Sequence, residues 1–90
     1  MYHRINAMGT KDKLIERFKA MPSDFTYEEM VRLFAIFGYH LSNKGKTSGS
    51  RISFVNGNDT YTLHKPHNPP YFKNYAMKQT KQYLEDKHLI

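Results

Sequence analysis

Arg51-Ile52-Ser53-Phe54-Val55-Asn56-Gly57-Asn58-Asp59-Thr60-Tyr61-Thr62-Leu63-His64 reads as a β-hairpin. Apolar and polar side chains alternate in 51–55 and again in 60–64, the period of a strand with one buried face. Asn56-Gly57-Asn58-Asp59 between them is a turn signal. A tight turn at Gly57-Asn58 pairs Asn56 with Asp59, Val55 with Thr60, Phe54 with Tyr61, Ile52 with Leu63 and Arg51 with His64. Ile52, Phe54, Tyr61 and Leu63 then share one face, and a slip of one residue would expose half of them. Arg51, Ser53, Thr60, Thr62 and His64 take the opposite face. Tyr39-His40-Leu41-Ser42 alternates in the same way and predicts a further strand.

Upstream of the sheet the period changes to that of a helix. Thr26 and Glu29 spell a T-x-x-E capping box, with Phe25 placed to staple Met30. Met30, Leu33, Phe34 and Phe37 recur at i, i+3, i+4 and i+7, and Gly38 is the expected stop. An earlier helix begins at Thr10, gathers Leu14, Ile15 and Phe18 on one face, and is stopped by Pro22 at about Met21. Residues 1–9 show no period and are expected to be irregular.

Downstream, Lys65–Phe72 carries Pro66, Pro69 and Pro70 and predicts a rigid connector. A last helix is expected over Asn74–Lys87, with Ala76, Thr80, Tyr83 and Leu84 on one side and Met77 beside them. Lys78 and Lys81 lie on another face. Tyr71, Phe72 and Tyr75 are expected to cap the core, with stacking on bases as the alternative use. The order is therefore α-α-β-β-β-α. The fold class is α+β, a three-stranded antiparallel sheet with helices on one face. Residues 1–90 make one domain: an irregular lead at 1–9, a helical part at 10–38, and the sheet plus C-terminal helix at 39–90.

Ninety residues leave no room for separate catalytic and regulatory domains. The absence of Cys excludes disulfides, thiolate zinc sites, iron–sulfur clusters and cysteine nucleophiles. No apolar run approaches the ~18 residues of a membrane span, and no apolar stretch follows Met1-Tyr2-His3-Arg4 as a signal peptide requires. The expected location is the cytoplasm, with no membrane partner. Fourteen Lys and Arg oppose eight Asp and Glu, and residues 39–90 carry eight of the basic side chains against three acidic ones. That lopsided charge points to a polyanionic partner, usually nucleic acid.

The hairpin register sets Arg51 beside His64 on the open face. An imidazole can move a proton from a ribose 2′-hydroxyl or to a leaving oxygen, and a guanidinium can hold the phosphate. Asn43–Ser50 precedes the hairpin. Lys44, Lys46, Ser48 and Ser50 in this glycine-bearing loop are candidates to grip a nucleic-acid backbone. The loop lacks Walker spacing and leads into a strand, so it is not a nucleotide-binding P-loop. His64-Lys65-Pro66-His67 offers two imidazoles, but within ten residues only Asp59 could join them as a carboxylate ligand. No metal and no cofactor is expected.

The run from about Leu14 to Ile90 resembles the HicA family of toxin–antitoxin toxins, small basic mRNA interferases. The matching features are Leu33-Phe34-Ala35-Ile36-Phe37-Gly38-Tyr39, the Lys44-Gly45 and Gly49-Ser50 loop, the hairpin, Pro66-His67 and Met77-Lys78-Gln79-Thr80-Lys81-Gln82-Tyr83-Leu84. The resemblance implies a double-stranded-RNA-binding-domain-like fold, cleavage of mRNA and neutralisation by a HicB-type antitoxin. That family typically carries a catalytic His directly after the Gly-Ser of the loop; Arg51 stands there in this chain. Two readings stay open. In one, His64 transfers the proton, Arg51 steadies the phosphate, His67 is the reserve, and Lys65, Lys78 and Lys81 track the backbone with the loop lysines. In the other, the chain is a non-catalytic RNA- or DNA-binding module, or a degenerate toxin that binds an antitoxin. The helix before Thr26 is a second departure from the family.

Overall fold

The computed structural model describes residues 9–42 and 51–90. Within them Thr26 caps helix α2 (Tyr27–Ile36): its hydroxyl accepts the Glu29 N–H at 3.2 Å, while a Glu29 carboxylate oxygen accepts the Thr26 N–H at 3.0 Å. Phe25 and Met30 on either side of the box are both fully buried, as the staple requires. The helix ends in a Schellman motif. Gly38 takes φ +90°, its N–H donates to Ala35 O, and the Tyr39 N–H donates to Phe34 O, both at 3.0 Å. A side chain at Gly38 would meet both the strained φ and Asn56 Nδ2 at 3.2 Å from its Cβ. Helix α1 (Thr10–Lys19) runs before it and buries Phe18 edge-on against Phe25, ring centroids 5.4 Å apart.

Strands β1 (His40–Leu41), β2 (Arg51–Asn56) and β3 (Asp59–His64) form an antiparallel sheet in that order. The β2–β3 register is the one the alternation predicts, from Asn56 opposite Asp59 to Arg51 opposite His64. Gly57 at φ +62° opens the turn, the glycine-first pattern of a type II′ hairpin. Helix α3 (Asn74–Asp86) closes the chain. The helices lie on the sheet face that presents Phe54 and Tyr61, so the α+β order α-α-β-β-β-α is observed.

One aromatic stack joins these layers. The Phe34 ring of α2 lies flat on Phe54 of β2, centroids 4.3 Å apart, and Tyr61 of β3 lies flat on Tyr83 of α3 at the same separation. Phe34 also stacks on Tyr61 at 5.6 Å, so the rings form a continuous file from α2 to α3. Each such ring contributes on the order of 2–3 kcal/mol by leaving water. The file carries hydroxyls, and each is partnered: Tyr61 with buried Thr80 at 2.9 Å, Tyr39 with Tyr83 at 3.0 Å. Burial raises the Tyr61 and Tyr83 phenols above the usual tyrosine range.

The aromatic residues after the prolines divide. Phe72 is in the core, 3% exposed, but Tyr71 and Tyr75 are 39% and 68% exposed. The expectation that all would cap the core is corrected for both tyrosines. Tyr75 shares its helix face with Gln79, Gln82 and Asp86, a polar stripe turned from the Met77, Thr80 and Leu84 that the core receives.

Candidate nucleic-acid interface

β3 ends at His64, and the chain must travel from the sheet edge to the start of α3. Lys65–Pro70 makes that crossing with limited freedom, since its prolines fix φ; the Asn68–Pro69 bond is cis. The connector is pinned at both ends. At the first, His64 is held opposite Arg51 in the ladder. At the second, the Phe72 N–H donates to Phe25 O at 3.0 Å, and Tyr71 bridges Thr26 beside the start of α2. Lys65 is steadied as well, its ammonium 4.4 Å from the centre of the Tyr27 ring.

Between this connector and the first turn of α3 lies a cleft of about 280 Å³. His64, Lys65, His67, Tyr71, Lys73 and Tyr75 supply its chemistry, and no carboxylate lines it. Tyr71 and Tyr75 are the exposed large aromatics among the described residues. The N-terminus of α3, with no acidic residue in its first turn, adds the positive end of the helix dipole. A smaller cleft of about 120 Å³ adjoins it along β3 and shares His64, Tyr75 and Ala76 with it. His64 and Tyr75 therefore stand on the ridge between the two.

The residues singled out from the sequence separate in space. His64 and His67 come together in the cleft, and Lys65 joins them. Arg51 is paired with His64 across the ladder but lines neither cleft. The open sheet face continues beside that pair with a Ser53–Thr62 hydroxyl contact of 2.9 Å. Lys78 and Lys81 do not line the cleft, and Lys81 lies 3.9 Å from Glu85. Lys44, Lys46, Ser48 and Ser50 lie outside the described residues. Tyr71 and Tyr75 take up the exposed position that base stacking, the alternative use read from the sequence, requires, and Lys73 joins the cleft without any signal in the sequence. The signal that reveals Tyr75 is its place on the polar stripe of α3; Lys73 and Tyr71, outside any periodic segment, carry no such signal.

The arrangement can hold a chain of phosphates against Lys65 and Lys73, stack unpaired bases on the tyrosines and move protons through two imidazoles. Among the described residues no group of three His, Asp or Glu is placed to hold a metal ion, and no helix is long and apolar enough to cross a membrane. No family model, curated protein or solved structure matches the chain.

Proposed function

We propose that the protein is an RNA-directed toxin of the HicA type, a metal-independent endoribonuclease that cuts mRNA in the cytoplasm and is neutralised by a HicB-type antitoxin. One observation carries this reading: two imidazoles, two lysines and two exposed tyrosines share a cleft that has no carboxylate. Such a surface attracts a polyanion, and its exposed rings suit the splayed bases of single-stranded RNA. The succession α2-β1-β2-β3-α3 agrees with the double-stranded-RNA-binding-domain-like order that the HicA resemblance implies, with α1 added in front.

In this reading His64 takes the proton of a ribose 2′-hydroxyl. The freed oxygen attacks the adjacent phosphorus in line, and the bond from phosphorus to the 5′ oxygen breaks. His67 protonates that leaving oxygen. The products are a 2′,3′-cyclic phosphate and a 5′-hydroxyl. Arg51, beside His64, offsets charge on the phosphate, and Lys65, Lys73, Lys78 and Lys81 hold the flanking backbone with the loop residues Lys44, Lys46, Ser48 and Ser50.

A second reading has its own observation. Arg51 stands where the HicA family typically carries its catalytic His, which favours a module that binds RNA, and an antitoxin, without cutting. One assay separates the two. End-labelled single-stranded RNA is incubated with purified protein in EDTA. Cleavage to cyclic-phosphate ends, slowed about 10²- to 10⁴-fold by His64→Ala with RNA affinity retained, supports the enzyme. Binding without cleavage moves the conclusion to the second reading. No binding even at low salt overturns both.

A further inference from the structure

A second concavity, a groove of about 420 Å³ that shares no lining residue with the His64–His67 cleft, lies between α1 and α2. Its floor is apolar: Leu14 from α1 and Ala35 and Ile36 from α2. Its rim is basic: Lys11 and Lys13 from α1 and Arg32 from α2. All three cations are exposed, and none has an ion-pair partner among the described residues. No carboxylate lines the groove.

The groove is held in shape. Arg17, which also lines it, gives its guanidinium to Glu29 of α2, with Nε donating at 2.7 Å and Nη2 at 3.0 Å, and to Asp24 Oδ1 at 3.0 Å. A bidentate pair of this kind fixes the two helices relative to each other. The Arg17 charge is thereby spent inside the fold, while Lys11, Lys13 and Arg32 remain for a partner.

We infer that this groove docks an acidic amphipathic helix of a partner protein. Three features select that occupant. An apolar floor rejects the sugar–phosphate chain that the basic rim would otherwise attract. Both walls are helices whose backbone groups are largely bonded internally, so an extended strand laid between them would find few partners for its own amides; a helix brings its amides already satisfied. Unpaired cations on both sides call for carboxylates flanking the apolar stripe. A second copy of the chain would bring like charge to the rim, and residues 1–8 hold Arg4 and no carboxylate. This inference does not rest on the RNA reading.

The test is a titration of the full-length, isotope-labelled protein with a synthetic 14-residue peptide, followed by amide NMR. The peptide repeats Leu at i, i+3 and i+7 with Glu on the flanks; a control carries Gln at every Glu position. Saturable shifts centred on Leu14, Ala35 and Ile36 are expected, with the Gln peptide bound about tenfold more weakly, as three rim contacts of roughly 0.5 kcal/mol each would give. Lys13→Glu with Arg32→Glu should weaken the Glu peptide by at least as much. Ala35→Gln, a good helix former at an exposed position, should weaken both peptides and leave the fold intact. RNA affinity should change little in Ala35→Gln. Equal binding of the two peptides, shifts centred on another surface, or no saturation would overturn the inference. So would contacts in the free protein that seat Ile5 or Met8 on this floor, or self-association that shifts Leu14, Ala35 and Ile36.

Discussion

Arg51 and His64 are partners at the open end of the β2–β3 ladder, yet only His64 reaches the cleft. The pairing places a fixed cation one strand away from the imidazole that, in the proposed reaction, meets the RNA. The two side chains therefore separate in their kinetics. His64→Ala should lower the cleavage rate constant by about 10²- to 10⁴-fold at nearly unchanged RNA affinity. Arg51→Ala should weaken RNA binding as well as lower the rate, since its charge acts on ground state and transition state alike. Single-turnover rates measured across RNA concentrations resolve the two effects. Both positions are exposed, so thermal stability should stay close to that of the parent protein.

Tyr75 is 68% exposed on the ridge between the two clefts. Tyr75→Ala should lower affinity for single-stranded RNA by about 1–3 kcal/mol of stacking, at any salt concentration, and Tyr75→Phe should retain most of it. Lys73→Ala should act through charge instead. Its mark is a salt dependence of log affinity shallower by about 0.7 for one lost phosphate contact on a single strand. Fluorescence titrations at several salt concentrations distinguish a loss of stacking from a loss of charge.

Tyr61 and Thr80 form a hydroxyl pair of 2.9 Å inside the core. Removing either partner breaks this hydrogen bond inside the core; removing both leaves neither hydroxyl behind. Thr80→Val should cost about 1–3 kcal/mol, Tyr61→Phe about the same, and the double variant clearly less than their sum. Urea unfolding of the four proteins closes the cycle, and strict additivity would show that the pair is not coupled.

Glu29 serves two structures at once, the capping box of α2 and the ion pair with Arg17. The Arg17 guanidinium, with help from the Thr26 N–H, holds its carboxyl below the usual carboxylate range. A carboxyl depressed in the folded state stabilises the fold above its unfolded pKa of about 4.3, and that contribution disappears as pH falls through the folded value. The parent protein should therefore lose stability below about pH 5 more steeply than Glu29→Gln does. At neutral pH the variant should be less stable by about 1 kcal/mol, because Gln still closes the capping box but forms no ion pair. Thermal melts between acid and neutral pH give both numbers, and the two stability curves should converge in acid.

The hairpin register, the capping box of α2 and its stop at Gly38 were all legible in the sequence. Each is local: an alternation on either side of a tight turn, a four-residue box, a glycine at a position that needs positive φ. The pairing of Arg51 with His64 follows from the same register and was legible with it. The cleft was not. Tyr71 and Phe72 follow a run of prolines with no period, and nothing within that run says which ring is buried. Phe72 goes inward where its backbone bonds to Phe25, far earlier in the chain, and its neighbour Tyr71 stays exposed. The same long-range anchor swings Lys73 and the first turn of α3 up to His64 and His67. The groove between α1 and α2 likewise depends on Arg17 reaching Glu29 across a linker. Sequence alone determined the elements and their register, because those depend on neighbours along the chain. Tertiary structure decided which side chains share a surface, because that depends on packing between segments the chain order does not join.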